Sequence, residues 1–253
     1  MRIFACLLLG WMASLGAAED RVVSAAETAY AKGDYATAVE QWSEEARRDG
    51  VSAGLLSALG NAEWRLGRKG RAMICWERAL LLDPRDPVAL AGIRHALAAG
   101  GTERPASTWA ETYAAFLTED SWLILATTFF WVATLCVVVP RLRRRAAGEW
   151  NHRTRVVALT LFALCVPGLW GGRSLSARAV VRKTEVSLRL TPTAFGEPLN
   201  GVAEGDVLRT GRPFNGHVRV TTADGKTGWL RASEIEPVRG ATLPADLDQK
   251  AAP

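Results

Sequence analysis

Residues 121–140 read SWLILATTFFWVATLCVVVP, twenty positions without a charged side chain. A helix rising 1.5 Å per residue over that length covers about 30 Å, the hydrocarbon thickness of a bilayer. A second uncharged run follows at Val156–Gly172 (VVALTLFALCVPGLWGG), with Pro167 inside it; a spanning helix tolerates such a proline. Between the runs stand Arg141, Arg143, Arg144, Arg145, Arg153 and Arg155, offset only by Glu149. A pair of buried core helices would not gather six arginines at one shared end. Short loops rich in Lys and Arg stay on the cytoplasmic side of a membrane. The reading is therefore a two-helix hairpin with residues 141–155 inside the cell. Residues 19–120 and 173–253 then lie together on the external side.

The N-terminus points the same way. Arg2 precedes the apolar run Ile3–Leu15, and Gly16-Ala17-Ala18 stands before Glu19-Asp20. That is the pattern of a secretory signal peptide over 1–18; cleavage after Ala18 is favoured over an uncleaved anchor, because the run is short for a span. The charge map fits this layout. The 253 residues carry a net charge of +5, which alone would suggest nucleic acid. Residues 19–120, however, hold 12 basic and 16 acidic side chains, and 173–253 hold 12 and 9. The excess sits in the arginine loop, so it is an orientation signal and no nucleic-acid partner is expected. The cysteines (Cys6, Cys75, Cys136, Cys165) and histidines (His95, His152, His217) are scattered. They form neither a disulfide framework nor a metal site, and no metal or cofactor is expected.

Residues 19–99 contain a 34-residue period: Gly33, Ala38 and Trp42 recur as Gly67, Ala72 and Trp76. Apolar residues recur at helical steps, as Leu55, Leu59, Ala62 and Leu66, then Ala72, Trp76, Ala79 and Leu80. Gly67 suits a left-handed cap, and Asp83-Pro84 stops the second helix of the pair. Asp86-Pro87 opens a further helix to Ala98, closed by Gly100-Gly101. The copy Leu55–Pro84 resembles the tetratricopeptide repeat through Leu56, Leu59, Gly60, Ala72, Trp76, Ala79 and Pro84. The first copy, roughly Asp20–Lys32 and Tyr35–Arg48, departs from the pattern with Glu45 at a small position. The second carries Glu63 where an aromatic is usual. About three such units make a stable stack, so either the 87–98 helix or a partner completes the core. The resemblance implies a peptide- or protein-binding groove lined by the first helices, which here places Glu27, Tyr30, Asn61, Trp64 and Arg65 on it. The alternative is a solvated surface with Tyr30 and Trp64 packed.

Residues 100–120 link the repeats to the first span. Ser107–Asp120 (STWAETYAAFLTED) puts Trp109, Tyr113, Phe116 and Leu117 on one face, with Glu111 and Glu119 outward and Ser107 as a cap. It reads as an interfacial helix running straight into the span, or as one packed on the repeats.

From Ala179 to Val238 the period changes to two. Strands are expected at Val180-Val181, Val186–Leu190, Asp206–Thr210, Val218–Thr222, Gly228–Leu230 and Ile235–Val238, with turns at Thr191-Pro192 and Asp224-Gly225. Such a chain closes as a small barrel. Val186-Ser187-Leu188-Arg189, Glu204-Gly205-Asp206-Val207 and Asp224-Gly225-Lys226-Thr227-Gly228-Trp229-Leu230 resemble the bacterial SH3 domain. That family often has a tryptophan where this chain has His217. Trp229 is the candidate ligand-facing residue, with a core or strand-end role as the alternative. Residues 239–253 read as a tail.

The fold expected is thus a multidomain membrane protein: all-α repeats (19–99), a linker (100–120), spans at 121–140 and 156–172, and a small all-β barrel (173–238). That order resembles the BatE branch of the Bat aerotolerance proteins. The resemblance implies an inner-membrane protein with periplasmic repeats, and companions with von Willebrand factor A domains and a MoxR-type AAA+ ATPase. No nucleophile–base pair, paired-carboxylate motif, metal cluster or phosphate loop is visible, so catalysis is not expected. A non-enzymatic envelope scaffold is the first reading, and a peptidoglycan-binding module the second.

Overall fold

The computed structural model describes residues 24–143, 148–184, 186–193 and 197–240, apart from the side chain of Asn200. The signal-peptide reading, Arg144, Arg145 and all of the tail after Gly240 lie outside the described residues.

Five helices come first: α1 (Ala25–Ala31), α2 (Tyr35–Asp49), α3 (Ala53–Arg65), α4 (Lys69–Leu82) and α5 (Pro87–Ala99). Their boundaries follow from local chemistry. Ser24 and Glu27 form a reciprocal capping box on α1. Asp34, Ser52 and Asp86 each accept a backbone N–H at the start of the following helix. Gly33, Gly67 and Gly101 all take positive φ, at +83°, +77° and +78°. They stand 34 residues apart, as do the caps Ser52 and Asp86. The repeat therefore reaches a third first-helix, α5, with no second helix after it.

The sheet takes that place. Strands β1 (Arg178–Val181), β2 (Val186–Arg189), β3 (Pro198–Val202), β4 (Val207–Phe214), β5 (His217–Thr221), β6 (Thr227–Arg231) and β7 (Ile235–Pro237) form one antiparallel sheet in the order β3-β2-β6-β5-β4-β1-β7. Val180, Val207 and Val238 join Leu56, Ala72, Met73, Trp76, Ala89 and Ile93 in a single apolar cluster. So the question of what completes the repeat core has a double answer: α5 does, together with the chain's own strands. The sheet's other side gathers Ala179, Val181, Leu188, Val202, Leu208, Val220, Leu230 and Ile235. Residues from both ends of the strand order share that core, so the sheet curls over it. Strand β3 lies where no strand was expected. Its sequence, PLNGV, looks like a turn, but it sits at a sheet edge, where proline costs no ladder hydrogen bond.

Two long helices, α7 (Glu119–Leu142) and α8 (Glu149–Ser176), pack against each other, and both are long and apolar enough to cross a membrane. They overrun the uncharged stretches at both ends. The linking segment needs correction. It does not run straight into the span: a short α6 (Trp109–Ala114) ends, and Thr118 caps α7 afresh by accepting from Ser121 N–H. The α6 cap is Thr108, not Ser107.

Candidate functional site

The first helices of the three repeat units stand in register. Glu27, Asn61 and His95 are successive positions at the 34-residue step, as are Tyr30 and Trp64. Glu27 is exposed and bonds the Ser24 N–H through its carboxylate. Tyr30 is half-buried, its ring 5.2 Å from Tyr35 and 5.8 Å from Trp42. Trp64 is half-buried between Trp76 and His95, with ring centroids 5.8 Å away on both sides. Asn61 is half-buried and Arg65 exposed. The row thus presents an acid, an amide and an imidazole beside two packed aromatics. Sequence reasoning missed His95, although adding one period to Asn61 reaches it.

Glu63 lies on the same helix but turns inward. Buried at 1% exposure, it pairs with Arg68 at 3.2 Å and Arg71 at 3.7 Å. Those two arginines of the following turn hold the acid at the position where the repeat pattern has an aromatic.

A second constellation joins the repeats, the linker, α6, α8 and the sheet. Arg178 on β1 is fully buried and meets Glu111 of α6 at 2.7 Å and Glu77 of α4 at 3.8 Å. Arg104 of the linker binds Glu77 at 2.5 Å, Arg209 of β4 reaches Glu111 at 3.2 Å, and the Ser174 hydroxyl of α8 donates to Glu111 at 2.6 Å. Glu111 was expected to face outward; it is 1% exposed and sits at the centre of this joint. Helical periodicity put it on the polar face of α6, and polar it is, but the polar side meets arginines rather than water. Burial works against its charge. The Ser174 hydroxyl, the Thr108 N–H and the guanidinium groups of Arg178 and Arg209 outweigh that cost and hold the carboxyl below its usual range. Burial lowers Arg178, and Arg104 and Arg209 nearby add to the effect. For Arg104 burial also acts downward, but the Glu77 carboxylate overcomes it.

Other bonds stitch the same seam. Arg78 of α4 donates to Glu236 and to the Val238 carbonyl, both at 3.0 Å. Asp206 accepts from Glu103 N–H at 2.7 Å and Ala203 N–H at 2.8 Å. Desolvation still raises its carboxyl above the usual value.

Side chains bind the helix hairpin, and one of them repairs a proline break. Pro140 has no N–H to offer the Cys136 carbonyl one turn back. Asn151 of α8 supplies it, Nδ2 to oxygen at 2.6 Å. Near Pro167, the Tyr113 hydroxyl donates to the Leu164 carbonyl at 3.1 Å. Arg141 and Arg143 end α7, while Arg153 and Arg155 start α8, so all four share one end of the hairpin. Arg153 pairs with Glu149 at 3.3 Å, and Arg155 contacts the His152 ring.

Trp229 lies on the side of the sheet away from its core, half-buried, with the Phe214 ring 6.4 Å away. Among the described residues no three His, Cys, Asp or Glu side chains converge as a metal set would. Cys75 is fully buried, and that burial pushes its thiol upward.

Comparison with protein-family models, with curated proteins and with solved structures finds no match.

Proposed function

We propose that the chain is a non-enzymatic adaptor of the bacterial envelope. In this reading α7 and α8 cross the inner membrane, the arginine loop stays in the cytoplasm, and the repeats and the sheet face the periplasm. The observation that supports it best is the welded seam. One apolar cluster spans α3, α4, α5 and the sheet, and one ion network spans α4, α6, α8, β1 and β4. A partner that pulls on the repeats therefore pulls on the membrane helices as well. The face left outside the seam is the one lined by first helices, with Glu27, Tyr30, Asn61, Trp64, Arg65 and His95, and it is the surface offered to a protein segment.

The finer assignments belong to the same reading: tetratricopeptide units, an SH3-like barrel, and a place beside von Willebrand A-domain proteins and a MoxR-type ATPase in a Bat-like assembly. Photo-crosslinking in living cells tests it. A crosslinker at Asn61 or His95 is expected to trap a discrete partner that one at the second-helix position Glu40 does not. Identical adduct patterns at all three positions would remove the groove. Topology is tested separately: a phosphatase fused at the C-terminus should be active outside, and a fluorescent protein in the arginine loop should fluoresce inside. A second reading, a wall-binding sheet, is favoured by the half-buried Trp229 on the outer face.

A further inference from the structure

Trp150 and Trp170 of α8 are both more than half exposed and stand twenty positions apart. At 1.5 Å per residue that is about 30 Å, the thickness of a bilayer core. Trp150 lies at the end of the hairpin that carries Arg141, Arg143, Arg153 and Arg155, and Trp170 at the other end. Tryptophan collects at the two faces of a membrane, where its ring meets lipid and its N–H meets water.

Contacts show what else stands at the level of Trp170. Trp122 of α7 packs on Gly168, and a Cβ at Gly172 would stand 3.9 Å from the Glu119 side chain, so the uncharged part of α7 ends there. Helix α6 sits against the same turns of α8. A Cβ at Gly171 would strike the Ala110 carbonyl, and the Ala114 carbonyl accepts from Trp122 Nε1 at 3.0 Å. Tyr113 reaches the Leu164 carbonyl, while Glu111 turns the other way, to Ser174 and Arg178. What α6 leaves uncovered is Trp109 at its start and Phe116 just past its end, both more than half exposed. The Arg85 guanidinium, from the turn between α4 and α5, stands over the Phe116 ring, 5.5 Å from its centre.

We propose that the outer headgroup layer of the bilayer covers this surface, with Trp109, Phe116 and Trp170 entering it as one aromatic rim and Trp150 marking the inner face. The inference rests on the reading in which α7 and α8 cross the membrane. It adds where the bilayer ends and which residues outside the spans touch it. Lipid is the occupant because the rim continues into the exposed apolar residues Leu123, Ile124 and Val166 of the two long helices. The Arg85 guanidinium then lies at the level of the lipid phosphates, which it can bind through its N–H fork. Because α6 is bonded to α7, α8 and β1, the rim sets how the repeats and sheet stand on the membrane, where a loose tether would let them swing.

The full chain would carry the photo-crosslinker benzoylphenylalanine in place of one residue at a time: Trp109, Phe116, Ile124, Glu40 or Ala223. Glu40 of α2 and Ala223 in the turn between β5 and β6 are exposed controls. Each protein is reconstituted into vesicles of phosphatidylethanolamine and phosphatidylglycerol, irradiated and weighed by mass spectrometry. Phospholipid adducts are expected at Trp109 and Phe116 in yields comparable to that at Ile124, which reports the span itself, and none at Glu40 or Ala223. Adducts at Ile124 without adducts at Trp109 and Phe116 overturn the inference and leave the membrane-crossing reading standing. No adduct at Ile124 removes that reading and the rim with it. Equal yields at all five positions also overturn the rim, because lipid would then coat the chain without regard to it.

Discussion

Two tryptophans, one in the repeats and one in the helix hairpin, fill holes made by glycines. Trp76 of α4 is clasped by Gly60 of α3 and Gly92 of α5; a Cβ at Gly60 would come within 2.5 Å of the indole, and one at Gly92 would strike it too. Trp122 of α7 lies on Gly168 of α8, where a Cβ would stand 2.6 Å from the ring. The packing rule is the same, small against large. What surrounds the pair differs. The repeat turns its apolar residues toward Trp76, which is 1% exposed. The hairpin buries little beyond Trp122, Ala126 and Cys165, and leaves Ile124, Trp131, Leu135 and Leu164 more than half exposed. In water the apolar surface collapses inward. Helix pairs suited to lipid lack that drive and meet through small residues and polar bonds, and the contact around Trp122 has that character. The indole nitrogens follow suit: Trp122 Nε1 donates to the Ala114 carbonyl at 3.0 Å, whereas Trp76 Nε1 has no partner.

The hardest blow to this contrast falls on the joint that both regions share. Glu111→Ala leaves the buried Arg178 with only the more distant Glu77 carboxylate, at 3.8 Å, and is expected to cost about 3 kcal/mol. Chemical unfolding of the full chain in detergent reads it; a cost below about 1 kcal/mol would mean that the joint is not the weld.

The next test sets the two glycines against each other. Gly92→Val and Gly168→Val each drive a branched carbon into an indole, for about 1–3 kcal/mol. The loss should be larger at Gly92, because Trp76 is held between Gly60 and Gly92 while a single glycine, Gly168, meets Trp122. Equal losses would erase the distinction.

Smaller, and confined to the hairpin, is Asn151→Leu. It orphans the Cys136 carbonyl and should cost about 1 kcal/mol, visible as easier separation of α7 and α8 in SDS titration. Smaller again is the difference between Trp122→Phe and Trp76→Phe. Both lose volume, but only the first loses a hydrogen bond, so it should be worse by about 1 kcal/mol or less.

Acid discriminates as well. Glu111 has a folded-state pKa below its unfolded value, so its contribution is complete above the ordinary carboxylate range. It is lost as pH falls through the lower, folded value. Unfolding midpoints measured from neutral pH downward should drop in that window for the native chain. They should drop less for Glu111→Gln, which has no carboxylate left to protonate.

The sequence carried its strongest signals where a residue's environment depends on its own neighbours. Gly33, Gly67 and Asp86 mark caps because a backbone conformation or an orphan N–H is local. The two uncharged runs mark helices long and apolar enough to cross a membrane, because length and hydropathy are properties of each run by itself. Periodicity also reached the row Glu27–Asn61, and one further step gives His95. Glu111 was misread for the opposite reason. Its helical face is legible in the sequence, but the two arginines that meet it come from residues 178 and 209. No local pattern links those positions.

From its order of residues alone, the chain fixed which segments are helical, which alternate, where the caps lie and which stretches shun water. These follow from bond geometry and transfer free energy within a dozen positions. Only the folded arrangement decided that the sheet packs on the repeat helices, that a buried carboxylate ties two arginines to the long helix α8, and that two arginines flank one tryptophan. Each depends on segments far apart in sequence meeting at a common distance, and that is set by packing the whole core at once.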